Sequence, residues 1–504
     1  MKPRQPAAEM VTIEGQQFDK QELVGEVEEL FEKLLEERLE EGDDFETYEK
    51  TLLEIAHQVV RGKLEKKLQA IADSFEDRLW IDHENPAFPL EQEGTKFLYR
   101  RHALGTVTYH SLVGPLRVCR DTYRQCSKFR GRCVPLDFEA GLIERMTPAM
   151  ARSLAIGYAF MPPRQYEEFV VASGLRPPSR STLDRAARDL GGYAATVLDD
   201  IEPLVRANEI IDPDARSIAL GLDRTAVPMR NGESPFDTDW DDRQLRRIRP
   251  KPRELRRIRG PVQWRMDYVG TFALLDESGK ELVTRKYRLP AHGDARAIVE
   301  RMLADVRQAL AQRPLPIAVV QDGAPELWKL LTTALRDEPV VGGWTEVLDW
   351  YHLDERLSLC LDLCESARTR NSQRKRWHDK LLSTSDGMCA VLRSLRRKAR
   401  TLDDAEAKKL GVHIRYFARN RHRTHYASYK KRCLPIGSGI TEGACKSVIG
   451  ARAKRSGQRW SQRGLTAALH LRSIHQSDRF DPFWSFFSQY YRARTIVPTR
   501  GTCA

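Results

Sequence analysis

The chain has 504 residues, with 83 Lys and Arg against 71 Asp and Glu, a formal net charge of +12 and a pI near 9.2. At about 150 residues per domain this length predicts roughly three domains, and a hydrophobic content of 41% can give each a core. The basic surplus favours a polyanionic partner, nucleic acid first. No stretch approaches the roughly 18 apolar residues of a membrane span, the N-terminus has no apolar core of signal-peptide length, and nine irregularly spaced cysteines read as reduced thiols. These features argue against a membrane protein and a disulfide-stapled scaffold, and predict a cytoplasmic one.

In chain order, residues 1–16 read as disordered. Apolar residues at helical period follow from Asp19 through Leu23, Val27, Leu30, Phe31 and Leu35, and again from Tyr48 through Leu52, Ile55, Val59, Leu68, Ile71, Phe75 and Leu79. The break at Gly42-Asp-Asp44 makes residues 1–82 a helical hairpin, a simple packing unit or a dimerisation surface. Asn85 to Leu90 is a linker. Residues 83–140 turn to period two, with strands over Thr106–His110 and Leu116–Tyr123. Cys119, Cys126 and Cys133 lie there without the tight pairing of a zinc knuckle. Residues 141–205 return to helix. Thr147-Pro148 starts one helix, Pro162-Pro163 stops it, and Ser179 or Ser181 caps another after Gly174. That is a helix-turn-helix pattern, and Arg180, Arg185 and Arg188 on its last helix suit phosphates and base edges.

A new unit spans 214–352. Strands are predicted over 217–222, 264–275, 281–289, 317–321 and 345–348, with helices over 294–311 and 326–335. The result is a mixed five-stranded sheet flanked by helices. Asp223 and Asp322 are expected at strand ends, where α/β proteins place their chemistry. The basic loop 230–261 either clamps phosphates or is simply solvated. Residues 353–435 read as an all-helical, very basic insertion. Residues 436–480 return to the sheet unit with Glu442 near the start of a helix, then Arg452, Lys454, Arg455, Arg459 and Trp460. An aromatic tail, 481–504, packs back onto the body.

Glu442 alone could be a first-turn acid complementing a helix dipole. With Asp223 and Asp322 it makes three hard oxygen donors, the set magnesium prefers. Two such ions about 4 Å apart can clamp the attacking and leaving oxygens of a phosphoryl displacement. Asp223 would be shared between them, with Asp322 on one and Glu442 on the other.

Several pieces carry a family resemblance: Gly221-Leu-Asp223-Arg-Thr225, Val319-Val-Gln-Asp322-Gly323, Asp349-Trp-Tyr-His352 and Gly437-Ser-Gly-Ile-Thr-Glu442-Gly-Ala-Cys-Lys446. In this order they resemble a DDE transposase of bacterial insertion sequences. Within that family they fall in the (C/D)xxH group with a helical insertion, closest to the ISKra type. The resemblance spans residues 90–480 and implies a ribonuclease-H-like catalytic domain. It implies Asp223, Asp322 and Glu442 as catalytic metal ligands for two Mg²⁺, with Mn²⁺ a substitute. Asp349 and His352 would be signature residues near the site, either orienting DNA or closing a strand-end turn. Trp460 would stack on an unpaired base or fill the core. The basic residues Arg180, Arg185, Arg188, Arg452, Lys454, Arg455 and Arg459 would hold double-stranded DNA. The implied activity is cleavage at terminal inverted repeats and strand transfer to target DNA by at least a dimer, in a bacterial, nucleoid-associated setting. A DNA-binding protein derived from a transposase, and a nuclease of the same fold, are the alternatives.

Overall fold

The computed structural model describes residues 10–13, 16–19, 29–40, 43–82, 96–126, 132–229, 262–289 and 295–496. The expected linker at 85–90 and the loop 230–261 lie outside these residues. The chain divides into two compact units, residues 1–154, 162–186 and 488–504 in the first, and 155–161 and 187–487 in the second.

In the first unit, β1 (Met10–Ile13) and β2 (Gln16–Asp19) pair as a short antiparallel hairpin. This corrects the expectation of disorder for residues 10–13 and 16 and of helix for Asp19, while Leu23 and Val27 of the expected helix lie outside the described residues. Helix appears at 29–36, then in α1 (Phe45–Asp73), whose N-cap Asp44 accepts from the Thr47 amide. Leu79 falls outside α1, in β3 (Arg78–Asp82). That strand joins β4 (Lys96–Ser111), β5 (Gly114–Gln125) and β6 (Arg132–Cys133) in a four-stranded antiparallel sheet. One side chain in two points inward along β5, as period two demands, and Leu116 and Val118 pack on Leu68 and Ala72 of α1. Cys133 is buried against Tyr99 and Tyr123. Among the described residues, no three His, Cys, Asp or Glu side chains stand close enough to hold a metal ion. Helices α2 (Pro135–Glu139), α3 (Pro148–Phe160) and α4 (Pro163–Ala172) follow. Next comes α5 (Arg180–Thr196), begun by Ser179 after the Gly174 turn, so the expected pair of helices around that turn is present.

In the second unit, α6 (Leu198–Ala207) precedes the sheet. Its strands are β7 (Ser217–Met229), β8 (Gln263–Leu275), β9 (Glu281–Leu289), β10 (Ile317–Gln321) and β11 (Trp344–Leu348), in the order β11-β10-β7-β8-β9. The first three are antiparallel, and β10 runs parallel to both β7 and β11. Three antiparallel strands followed by two parallel ones on the side of the first is the ribonuclease-H-like topology.

The period of two divides the sheet into unlike faces. Ile218, Leu220, Leu222, Phe272, Leu274, Ile317 and Val319 share a core with α7 (Ala295–Gln312) and α8 (Pro325–Asp337). The other face carries smaller side chains, Ala219, Gly221, Ala273 and Ala318, in phase with Asp223 and Asp322. Asp223 is not at a strand end. It sits mid-β7, opposite Val269, three residues past Leu220, where the pairing with β10 stops. The small-residue face lets other helices approach closely. Among them is α14 (Gly439–Ala444), which follows α9 (Trp350–Cys364), α10 (Ala367–Ser383), α11 (Gly387–Ala399), α12 (Asp404–Asn420) and α13 (Tyr426–Lys431). Those five helices form the expected insertion, and Leu353, Leu357, Trp377, Val391 and Phe417 pack on Val320, Val347 and Leu348. Ile440 of α14 lies on Ala219, Ala273 and Leu275. Thr441 bonds Thr271 hydroxyl to hydroxyl at 2.7 Å.

Gly221 sets that approach, since a Cβ there would stand 1.9 Å from Thr441 Oγ1. Gly221→Ala is therefore expected to destabilise the fold by about 1–3 kcal/mol, read by urea denaturation. Thr441→Ala in the same chain removes the clashing oxygen and is expected to recover part of the loss.

Candidate functional site

Three segments bring the sequence-predicted acids to the small-residue face. Asp223 stands on β7, Asp322 directly follows β10, and Glu442 lies in α14. Asp322 accepts from the Ala324 amide at 2.9 Å, which turns the chain into α8. Asp223 accepts from the Arg224 amide at 2.7 Å. Burial pushes the Asp223 carboxyl above the usual carboxylate range. The Arg224 amide and the Cys445 thiol pull it back, and the charge of Asp322 pushes it up again. Glu442 is partly exposed and pairs with Lys446 one turn on, at 2.6 Å. The helix changes pitch just after Glu442, becoming π-helical over Cys445–Gly450. Such wider turns commonly mark functional segments, and this one places the Cys445 thiol against Asp223.

Asp349 and His352 complete the arrangement. Asp349 is fully buried. It caps α9 by accepting the His352 amide at 2.8 Å, holds His352 Nδ1 at 2.7 Å and accepts the Ser438 amide. Burial alone would raise its pKa. The bonds from His352 and Ser438 outweigh it and hold the carboxyl below its usual range. The bond to Asp349 raises the His352 pKa, burial opposes it, and the charges of Asp349, Asp322 and Glu442 add to the rise. Asp223 feels the His352 charge in turn. One imidazole is therefore electrostatically linked to all four acids.

Carboxylate oxygens are the donors that hard divalent ions prefer, and Asp223 and Asp322 are close enough for the charge of one to act on the other. Among the described residues no three His, Cys, Asp or Glu side chains stand close enough to hold a metal ion, and Glu442 is paired with Lys446.

Other sequence-predicted residues separate by burial. Trp460 is buried. Its indole N–H bonds the Ala453 carbonyl at 3.1 Å, and its amide bonds the Pro228 carbonyl. It packs in the core, the second of the two readings the sequence offered, and not on a base. Arg452 is 1% exposed. Its guanidinium lies 4.7 Å over the Trp460 ring and bonds the carbonyls of Tyr158 and Met161, and burial lowers its pKa to about 10. It is not presented to DNA, which corrects that expectation as well. Arg455 is half-buried, bonded to the Ala451 and Phe160 carbonyls. Lys454 reaches the Thr225 hydroxyl beside Asp223, and Lys454 and Arg459 are exposed. On α5, Arg180 and Arg185 are exposed and Arg188 is half-buried.

The site also contains residues that the sequence did not mark. Tyr416 of α12 lies over Gly323, where a Cβ would be 2.3 Å from its hydroxyl. Arg356 of α9 stacks on the Tyr416 ring at 4.0 Å. Only Gly323 beside an acid hinted at so close a neighbour.

No protein-family model and no curated protein sequence matches the chain. A solved structure, the Drosophila P element transposase strand transfer complex, overlaps 69% of this chain and 91% of its own at 11% identity, with a TM-score of 0.26. That overlap is too loose to decide fold or function.

Two outcomes are expected from this geometry. The His352 imidazole should titrate above 6.5, its ordinary value. Stabilisation from its charged form is complete below that value and fades as pH rises through the raised one. Asp349→Asn should bring the NMR titration midpoint of His352 back down and cost about 1–3 kcal/mol of stability. Arg452→Met should change thermal stability while leaving the salt dependence of DNA binding as in the wild type. A flattened salt dependence would return Arg452 to the DNA surface.

Proposed function

We propose that this chain is a transposase of the DDE kind, which binds the terminal inverted repeats of an insertion sequence, cleaves there and joins the 3′-hydroxyl ends to target DNA. The observation that carries the reading is the shared face. Asp223 lies on β7 and Asp322 directly after the adjacent β10 of a ribonuclease-H-like sheet, and Glu442 rides on the helix seated at Gly221.

Charge supports nucleic acid as the substrate. Residues 353–435 carry 21 Lys and Arg against nine Asp and Glu, a surplus equal to the +12 of the whole chain. The rest of the protein is neutral on balance, so the attraction for a polyanion is concentrated in the insertion that adjoins the carboxylates.

Two Mg²⁺ held by Asp223, Asp322 and Glu442 would acidify a water or 3′-hydroxyl and stabilise the leaving oxygen. The remaining work belongs to the chain. Asp349 fixes the His352 ring through Nδ1 and so directs Nε2 to the site, where a charged imidazole can hold a phosphate oxygen or pass a proton. Lys454 and Arg459 offer exposed positive charge on the same stretch as Glu442. Arg180 and Arg185 suit recognition of the repeat by α5.

Incubation with the DNA flanking its own gene and Mg²⁺ should yield cuts at the repeat ends. Specific binding without cutting would leave a DNA-binding derivative, and cutting without end preference would leave a nuclease. Asp322→Asn should lower the cleavage rate by about 10²-fold or more at unchanged end binding. Cleavage surviving that change would remove Asp322 from the machinery. Arg185→Ala should weaken end binding by about 1–3 kcal/mol if it reads a base.

A further inference from the structure

Beyond His352, the insertion reaches the carboxylates where Arg356 of α9 and Tyr416 of α12 converge beside Asp322. The Tyr416 hydroxyl and ring edge press on Gly323, the residue after Asp322, so closely that any side chain there would collide. The Arg356 guanidinium lies over the same ring, 4.0 Å from its centroid, and hydrogen-bonds the hydroxyl. Among the described residues Arg356 forms no ion pair with a carboxylate, whereas four other Lys and Arg side chains of the insertion do. Arg370 pairs with Asp362, Arg374 with Asp354, Lys398 with Glu365 and Arg423 with Glu346. An Arg stacked on a ring is pre-oriented, because the ring fixes the guanidinium plane and leaves its N–H edge to donate. Exposed Arg415 and Arg419 flank Tyr416 on α12, one residue before it and one turn after, so positive charge continues from the pair along the helix.

We propose that Arg356, oriented by Tyr416, is a phosphate-positioning residue that seats a DNA phosphodiester against Asp322. The assignment rests on the reading of the protein as a DNA-processing enzyme. The division of labour is physical. Three carboxylates on one face repel a phosphate, and a fixed guanidinium at their edge offsets that repulsion and fixes the approach angle with two parallel N–H donors. Tyr416 acts through Arg356. It connects strand β10 to the insertion, so the position of the cation follows the position of Asp322. The ring carries the guanidinium, and the hydroxyl both touches Gly323 and hydrogen-bonds Arg356.

The test uses the full-length protein and a labelled duplex of the DNA flanking its gene. Binding is measured across a salt series and cleavage at saturating protein with Mg²⁺. Arg356→Ala should reduce the slope of log affinity against log salt by about 1. Arg356→Lys keeps the charge, so it should keep the wild-type slope yet lower the single-turnover cleavage rate by about a hundredfold, the cost of misplacement. Tyr416→Phe keeps the ring but loses the hydroxyl's bond to Arg356, so it should lower the rate less than Tyr416→Ala, which should match Arg356→Lys. Melting curves of all four report folding, and Arg356→Lys carries the test if Arg356→Ala does not fold. A wild-type slope and rate in folded Arg356→Ala would overturn the assignment. So would rate losses that only track the folded fraction, which mark a structural pair. If the wild-type protein does not cleave at all, the proposed function fails, while the salt slope still decides whether Arg356 meets a phosphate.

Discussion

The buried carboxylate of Asp349 is the constraint on which the second unit depends. A charge out of contact with water is tolerated only when donors surround it, and Asp349 meets that demand from separate stretches of chain. Its own amide bonds the Gln321 carbonyl, its carboxylate caps α9 and holds His352, and the Ser438 amide donates to it from the far side of the insertion. Beside it, the Trp350 amide bonds the Ile436 carbonyl. The chain therefore leaves the sheet and re-enters it at one point. Closing the base of a long excursion in this way lets a large helical insertion be tolerated without loosening the strands that hold the acids. Because Ser438 precedes α14, the same bond sets where Glu442 begins.

A second constraint is steric. The face carrying Asp223 and Asp322 is lined by Ala219, Gly221, Ala273 and Ala318, whereas its reverse holds Ile, Leu and Phe against two long helices. Large residues on one face and small ones on the other give the sheet a deep core behind and a shallow seat in front. Close approach has a cost in space, visible at Gly221 and Gly323, where no Cβ fits. Both glycines adjoin an acid of the site, so backbone proximity and chemistry are built from the same residues.

Electrostatics is divided along the chain as well. The surplus of positive charge lies in the insertion, while the carboxylates lie on the sheet. Some basic residues near Glu442 are structural. Arg452 is enclosed by Trp460, Tyr158 and backbone carbonyls, and a buried guanidinium of that kind fixes packing rather than a ligand. Counting cations along a sequence overstates the surface available to DNA wherever aromatic rings and carbonyls can take the charge inside.

The sequence by itself determined the strands and helices of the second unit closely, because alternation and 3.6-residue periodicity are local properties of side-chain order. It also marked Asp223, Asp322 and Glu442 as hard oxygen donors, and the family resemblance added Asp349 and His352. It placed Asp223 at a strand end, and only the structure showed β7 running on past it, because that length depends on pairing with β8 after β10 has stopped. The β1–β2 hairpin was missed because four-residue strands lack the length to show a period. The burial of Arg452 and Trp460, and the meeting of Arg356, Tyr416 and Gly323, were decided by tertiary structure alone. Which cation faces water and which ring lies beneath it depends on segments far apart in the chain, and no local pattern carries that information.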